Sequence, residues 1–156
     1  MAYIILLCLC FIKGGKSGKI AVVGAVILII FSDQLSSHFI KNWVARIRPC
    51  NVLPNTRVLD GYSGSYSFPS SHAVNNFAEF MFFSILYPRL RKILFTIAFL
   101  VSFSRIYVGR HYPSDVIGGA VLGCAVGYLF ARIAIRINIF IQDKYLRIDT
   151  NYNSFD

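Results

Sequence analysis

The chain has 156 residues, 56% of them hydrophobic and only 15% charged, with sixteen Lys and Arg against seven Asp and Glu. Its mean hydropathy is +0.58, and a soluble domain would carry about 25% charged residues, so the composition sets aside a water-soluble core and points to a bilayer as solvent. The cations sit in short clusters between apolar runs, the pattern of membrane-protein loops, which sets aside nucleic acid as a partner.

In chain order, the first apolar segment, Ala2 to Ile12, is shorter than the roughly 20 residues that span a bilayer. It lacks the basic start and cleavage site of a signal peptide. It reads as a half-span, or as the end of a helix whose beginning is missing.

Lys19 to about Arg46 is expected to form one long helix, apolar at first and then mixed, ending before Pro49, which disfavours helix at Arg48. Asp33, Ser37, Lys41 and Arg48 recur there at spacings of four and seven, which would place them on one helix face. His38, off that face, reads as a structural or interfacial residue.

Residues 50–68 are rich in Gly, Ser, Asn and Tyr and form the one long loop, a length usually tied to function. Arg57, Tyr62 and Tyr66 in it are candidates either to touch a head group or to sit at the membrane interface. Further helices are predicted at about 71–87, 92–109 and 114–137, followed by a polar C-terminal tail, 143–156. The last helix carries Gly119, Gly123 and Gly127 at four-residue spacing, a stripe that lets membrane helices approach closely. The expected architecture is one all-α domain over residues 1–156, an integral membrane bundle of four to five transmembrane helices.

Cys8, Cys10 and Cys124 lie in apolar segments and only Cys50 in a polar loop, so the cysteines read as small apolar fillers rather than a disulfide framework.

Basic residues set the orientation. One set of helix ends carries ten of them: Lys13, Lys16, Lys19, Arg89, Arg91, Lys92, Arg132, Arg136, Lys144 and Arg147. The opposite set carries six, namely Lys41, Arg46, Arg48, Arg57, Arg105 and Arg110. The richer side is expected to be cytoplasmic, in a bacterial inner membrane, and the other to face the periplasm or exterior. Met1 then falls outside, which again points to a missing N-terminal helix.

The reactive residues gather on that outer side. Lys41 and Arg48 end one helix, His72 starts the next, Arg105 lies near the end of a third, and His111 and Asp115 flank the following turn. Ionisable groups at membrane level are costly and usually functional. Three cations with two histidines and one carboxylate suit an anionic substrate, most simply a phosphate. Ser70 and Ser71 precede a helix, where hydroxyls and free N–H groups can either cap it or hold a phosphate oxygen. Asn75, Asn76 and Glu79 continue the face of His72, with Glu79 roughly 10 Å deeper. A Glu79 to Lys41 contact beneath the site is therefore expected.

Three segments carry a family resemblance: "KNWVARIRP" with Lys41, Arg48 and Pro49; "PSSH" with Pro69, Ser70 and His72; and "SRIYVGRHYPSD" with Ser104, Arg105, His111 and Asp115. Together they resemble the three-part signature of the type-2 phosphatidic acid phosphatase superfamily, which also includes vanadium haloperoxidases. One departure is Ser71, where the family usually has Gly; another is length, since bacterial membrane members generally have six spanning helices.

The resemblance implies that His111 is the nucleophile and that Asp115 holds its other ring nitrogen. It implies that His72 protonates the leaving group and later activates water, and that Lys41, Arg48, Ser70, Ser71 and Arg105 bind the phosphate oxygens. No metal or other cofactor is expected, and the expected partners are the bilayer and a lipid phosphate substrate. Candidates are lipid A 1-phosphate, undecaprenyl pyrophosphate, phosphatidylglycerophosphate and phosphatidic acid. Phosphotransfer to an acceptor is an alternative, as is a non-catalytic anion-binding membrane protein; haloperoxidase activity fits poorly with membrane helices.

Overall fold

The computed structural model describes Ile12, residues 14–52 and residues 64–152, with side chains as far as Lys144. Among these residues every regular element is helical. We number the helices α1 (Gly15–Gln34), α2 (Lys41–Val44), α3 (Pro49–Val52), α4 (Ser71–Leu86), α5 (Arg91–Tyr107) and α6 (Pro113–Tyr152).

Two stretches, Gly15–Val52 and Pro113–Lys144, are long and apolar enough to cross a membrane by themselves. The helices between them are shorter, 16 residues in α4 and 17 in α5. The short connections before α5 and α6 make α4, α5 and α6 successive antiparallel helices. The short first segment lies, apart from Ile12, outside the described residues.

The first long helix differs from its predicted form. A π-helical segment, Leu35–Ile40, separates α1 from α2, and the helix stops at Val44 because Ala45 turns left-handed at φ 48°. The π segment adds a residue to the turn and shifts everything after it around the axis. The expected single face therefore breaks. Ser37 still donates to Asp33 Oδ1 at 3.3 Å, but Arg48 stands beyond the helix in an irregular segment. At the other end of the chain, α6 does not stop near residue 137. It continues to Tyr152, because no Gly or Pro interrupts it after Gly127.

α4 lies at the centre. The glycine stripe of α6 packs against its backbone: a Cβ on Gly123 or Gly127 would run into the carbonyl oxygens of Val74 and Ala78, and one on Gly119 would stand 2.9 Å from that of Ser70. Leu28 of α1, Phe82 and Phe83 of α4, Leu94 of α5 and Val126 of α6 complete the core.

The outward faces are apolar too. Ile27, Ile30 and Phe31 on α1, Phe99 and Leu100 on α5, and Ile117, Val121 and Leu129 on α6 are all exposed. In water, apolar cover of this extent would be an aggregation hazard; against lipid tails it is the matching surface.

Candidate active site

Four parts of the chain deliver polar groups to one end of the bundle. α5 ends in a turn closed by Val108 N–H to Ser104 O, Gly109 N–H to Ile106 O and Arg110 N–H to Arg105 O, at 3.0, 2.9 and 3.2 Å. Gly109 takes φ 75° there, a conformation that a side chain resists. The reversal puts His111 just before α6.

Asp115 sits in the first turn of α6 and reaches back to accept the Tyr112 N–H at 2.9 Å, the acidic half of a capping box. It is fully buried and has further donors. Arg46 Nη1 donates to Oδ1 at 2.7 Å, and Ser67 Oγ donates to Oδ2 at 2.5 Å. Arg46 also donates to Ser114 Oγ at 2.8 Å and lies 4.1 Å from the centre of the Tyr112 ring.

His111, 5% exposed, lies between Asp115 and Arg48. Its Nδ1 is 3.7 Å from Asp115 Oδ2, and its Nε2 is 3.0 Å from Arg48 Nη1. Because a guanidinium only donates, this contact makes Nε2 the unprotonated nitrogen and puts the ring proton on Nδ1, facing the carboxylate. Burial pushes the imidazole pKa below its ordinary value; the charges of Arg48 and Lys41 act the same way, while Asp115 opposes them.

Arg48 is itself held on three sides. Nε donates to Ser65 O and Nη2 to Ser65 Oγ, both at 2.8 Å, and Nη1 also donates to Arg110 O at 3.0 Å. The irregular segment after Ala45 places it there, with Ser67 N–H donating to Arg46 O at 2.7 Å to tie the two stretches of loop together.

Ser70 is the N-cap of α4 in an extended conformation, but its hydroxyl makes no capping bond. The side chain is fully buried and Oγ has no hydrogen-bond partner among the described residues. Its N–H donates to Asp115 O at 3.1 Å. A buried hydroxyl left unbonded costs about 1–3 kcal/mol, so this one is poised for a ligand oxygen rather than spent on capping. Ser71 differs, since its hydroxyl pairs with Ser37 Oγ at 3.0 Å, leaving its backbone N–H for the site.

His72, in the first turn of α4, is exposed. It lies within electrostatic reach of Arg105, His111, Lys41 and Arg110. Lys41 is buried at 8% exposure and feels Arg48, Arg110 and Asp33. Arg105 Nε donates to the neighbouring Ser104 Oγ at 3.2 Å.

The structure thus brings together Lys41, Arg48, Ser70, Ser71, His72, Arg105, His111 and Asp115. Glu79 is buried at 7% exposure, but the expected ion pair with Lys41 is not formed; the acidic neighbour of Lys41 is Asp33 on its own helix stretch. Arg57 and Tyr62 lie outside the described residues, and Tyr66 is exposed.

Sequence reasoning missed Arg46, Ser65 and Ser67. Arg46 lies inside the segment "KNWVARIRP" and was counted only as a basic residue of the outer side, and Ser67 stands two residues before Pro69. Among the described residues no three His, Cys, Asp or Glu side chains cluster as metal ligands.

A membrane bundle of helices with a cluster of cations around a carboxylate-backed histidine at one end defines the class of this protein. The chain belongs to the PAP2 superfamily, whose family model matches residues 22–138. It is 34% identical over 128 residues to a lipid A 4'-phosphatase of Bacteroides thetaiotaomicron, covering 78% of this chain and 57% of the relative. An undecaprenyl-diphosphatase of Sulfolobus acidocaldarius is 35% identical over 128 residues, covering 81% of this chain and 60% of the relative. The chain therefore spans little more than half the length of these relatives. Among solved structures, a transmembrane PAP2 type phosphatidylglycerolphosphate phosphatase from Bacillus subtilis matches with a TM-score of 0.63 and 26% identity, covering 86% of this chain and 70% of that one.

Proposed function

We propose that the chain is a membrane lipid phosphatase that hydrolyses a lipid phosphomonoester or pyrophosphate through a phosphohistidine at His111. The observation that carries this reading is the His111 environment: Asp115 behind Nδ1, Arg48 at Nε2, and the unbonded Ser70 hydroxyl nearby.

The chemistry follows from those contacts. A bound phosphate draws Arg48 Nη1 to one of its oxygens and leaves the Nε2 lone pair free to attack phosphorus. As the N–P bond forms, the P–O bond to the leaving group breaks, and His72 gives that oxygen a proton. Asp115 stabilises the positive charge that grows on the ring. Neutral His72 then takes a proton from water, whose oxygen attacks phosphorus; the P–N bond breaks and inorganic phosphate leaves. Lys41, Arg48, Arg105, the Ser70 hydroxyl and the first N–H groups of α4 offset the charge on the non-bridging oxygens throughout.

A site at one end of a membrane bundle can take a head group while the tails stay among lipid. The substrates named for the relatives, lipid A and undecaprenyl diphosphate, are amphiphiles of this kind. With fewer basic residues at this end of the bundle, the pocket faces the periplasm or exterior of a bacterial inner membrane.

The test is phosphate release from a panel of purified lipid phosphates. Wild type is expected to release phosphate, and His111→Ala to lose at least roughly 10³-fold in turnover, because no other group supplies the nucleophile. Equal turnover by the two would overturn the reading.

A further inference from the structure

A half-buried chain of polar side chains links the first long helix to the start of α4, and none of its outer members belongs to the motifs above. Ser32 Oγ donates to Asn75 Oδ1 at 2.8 Å. Asn75 Nδ2 donates to Asp33 Oδ1 at 3.2 Å, and Ser37 Oγ donates to the same oxygen at 3.3 Å. Ser37 Oγ also lies 3.0 Å from Ser71 Oγ.

The direction of the protons is fixed. An ionised carboxylate only accepts, so Ser37 must donate to Asp33, and the Ser71 hydroxyl must in turn donate to Ser37. Asp33 is the terminal acceptor of the chain. Ser71 is the first residue of α4, between Ser70 and His72, while Lys41 follows Ser37 by four residues across the end of the π segment. The chain therefore joins two parts of the proposed phosphate site, one carrying Lys41 and the other carrying Ser70 and His72. It also gives Ser71 a use that a Gly at this place could not supply.

From this geometry we infer that Asp33 is a positioning residue for the phosphate site, acting through Ser37 on Ser71 and so on the spacing of Lys41 from the α4 N-terminus. The inference rests on the proposed phosphatase reading for its catalytic consequence. Ser37 and Asn75 both donate to Asp33 Oδ1, so removing that oxygen takes the acceptor from both donors at once. Asn at position 33 keeps an acceptor oxygen for both donors and gives up only the charge.

The experiment uses the full chain in lipid nanodiscs, as wild type, Asp33→Asn, Asp33→Ala, Ser71→Ala and the Asp33→Ala/Ser71→Ala double variant. The readouts are kcat and KM for phosphate release from a lipid phosphate, and binding of inorganic phosphate followed by thermal shift. Asp33→Ala is expected to lower kcat roughly 10- to 100-fold, as a misplaced reacting group does, with KM changed far less, and Asp33→Asn to stay within about threefold of wild type. The double variant is expected to match Asp33→Ala, because both changes break one chain. Phosphate affinity should follow the same ranking.

Asn as impaired as Ala, additive losses in the double variant, or unchanged kinetics and phosphate affinity in Asp33→Ala would each overturn the inference. Should Asp33→Ala fail to fold, a wild-type-like Ser71→Ala overturns it, and a reduced kcat in Ser71→Ala beside a near-normal Asp33→Asn upholds it. A wild type that binds phosphate but releases none from any lipid overturns the proposed function instead, and the ranking of phosphate affinities then decides on Asp33.

Discussion

At His111 the balance of burial and charge decides the protonation state. Burial and the Arg48 and Lys41 charges lower its pKa from 6.5, and Asp115 opposes them without winning. The imidazole is therefore neutral at neutral pH, and the proposed nucleophile is lost only as pH falls through a value below 6.5. The acid limb of kcat/KM is expected below that pH, and a limb at or above it would contradict the assignment. Asp115→Asn removes the one influence that raises this pKa, so it should move the limb still lower while reducing the rate. That His111, Asp115 and the cations gather at one end of the bundle was legible from the motifs and the helix pattern. Arg46 and Ser67, which hold Asp115, were not, because they approach from a loop whose path depends on the left-handed turn at Ala45.

Two elements set the distances on which that chemistry depends. The glycine stripe of α6 gives the closest helix contact, and its role as a packing face was readable from the four-residue spacing alone. Gly123→Val would press a branched side chain onto the Val74 carbonyl, backbone that cannot turn aside as a side chain can. The expected cost is about 1–3 kcal/mol, the usual range for overpacking. It should appear as a lower Tm in nanodiscs, with Val121→Leu on the lipid-facing side of the same helix unchanged. The π segment was not readable. A helical pattern gives no sign of one extra residue in a turn, which rotates Lys41 about the axis, nor of the left-handed Ala45 that ends the helix before Arg48.

For the molecule as a whole, the charge difference between the two ends predicts the side of the membrane. Tyr107 at the site end and Arg89 at the other are both exposed. In a cysteine-free background, a membrane-impermeant maleimide added to intact cells should label Tyr107→Cys directly. Arg89→Cys should react only after permeabilisation, and the reverse pattern would invert the proposed orientation. The sequence by itself determined that the chain is an all-helical membrane bundle and that its reactive residues meet at one end, because hydropathy and helix length fix the depth of each residue. What only the tertiary structure decided is rotation and contact: which hydroxyl stays free at Ser70, which is tied up at Ser71, and which groups hold Asp115. Depth adds up residue by residue along a chain, whereas rotation about each axis depends on a π turn, a left-handed residue and the packing of neighbouring helices, none of which has a local signature.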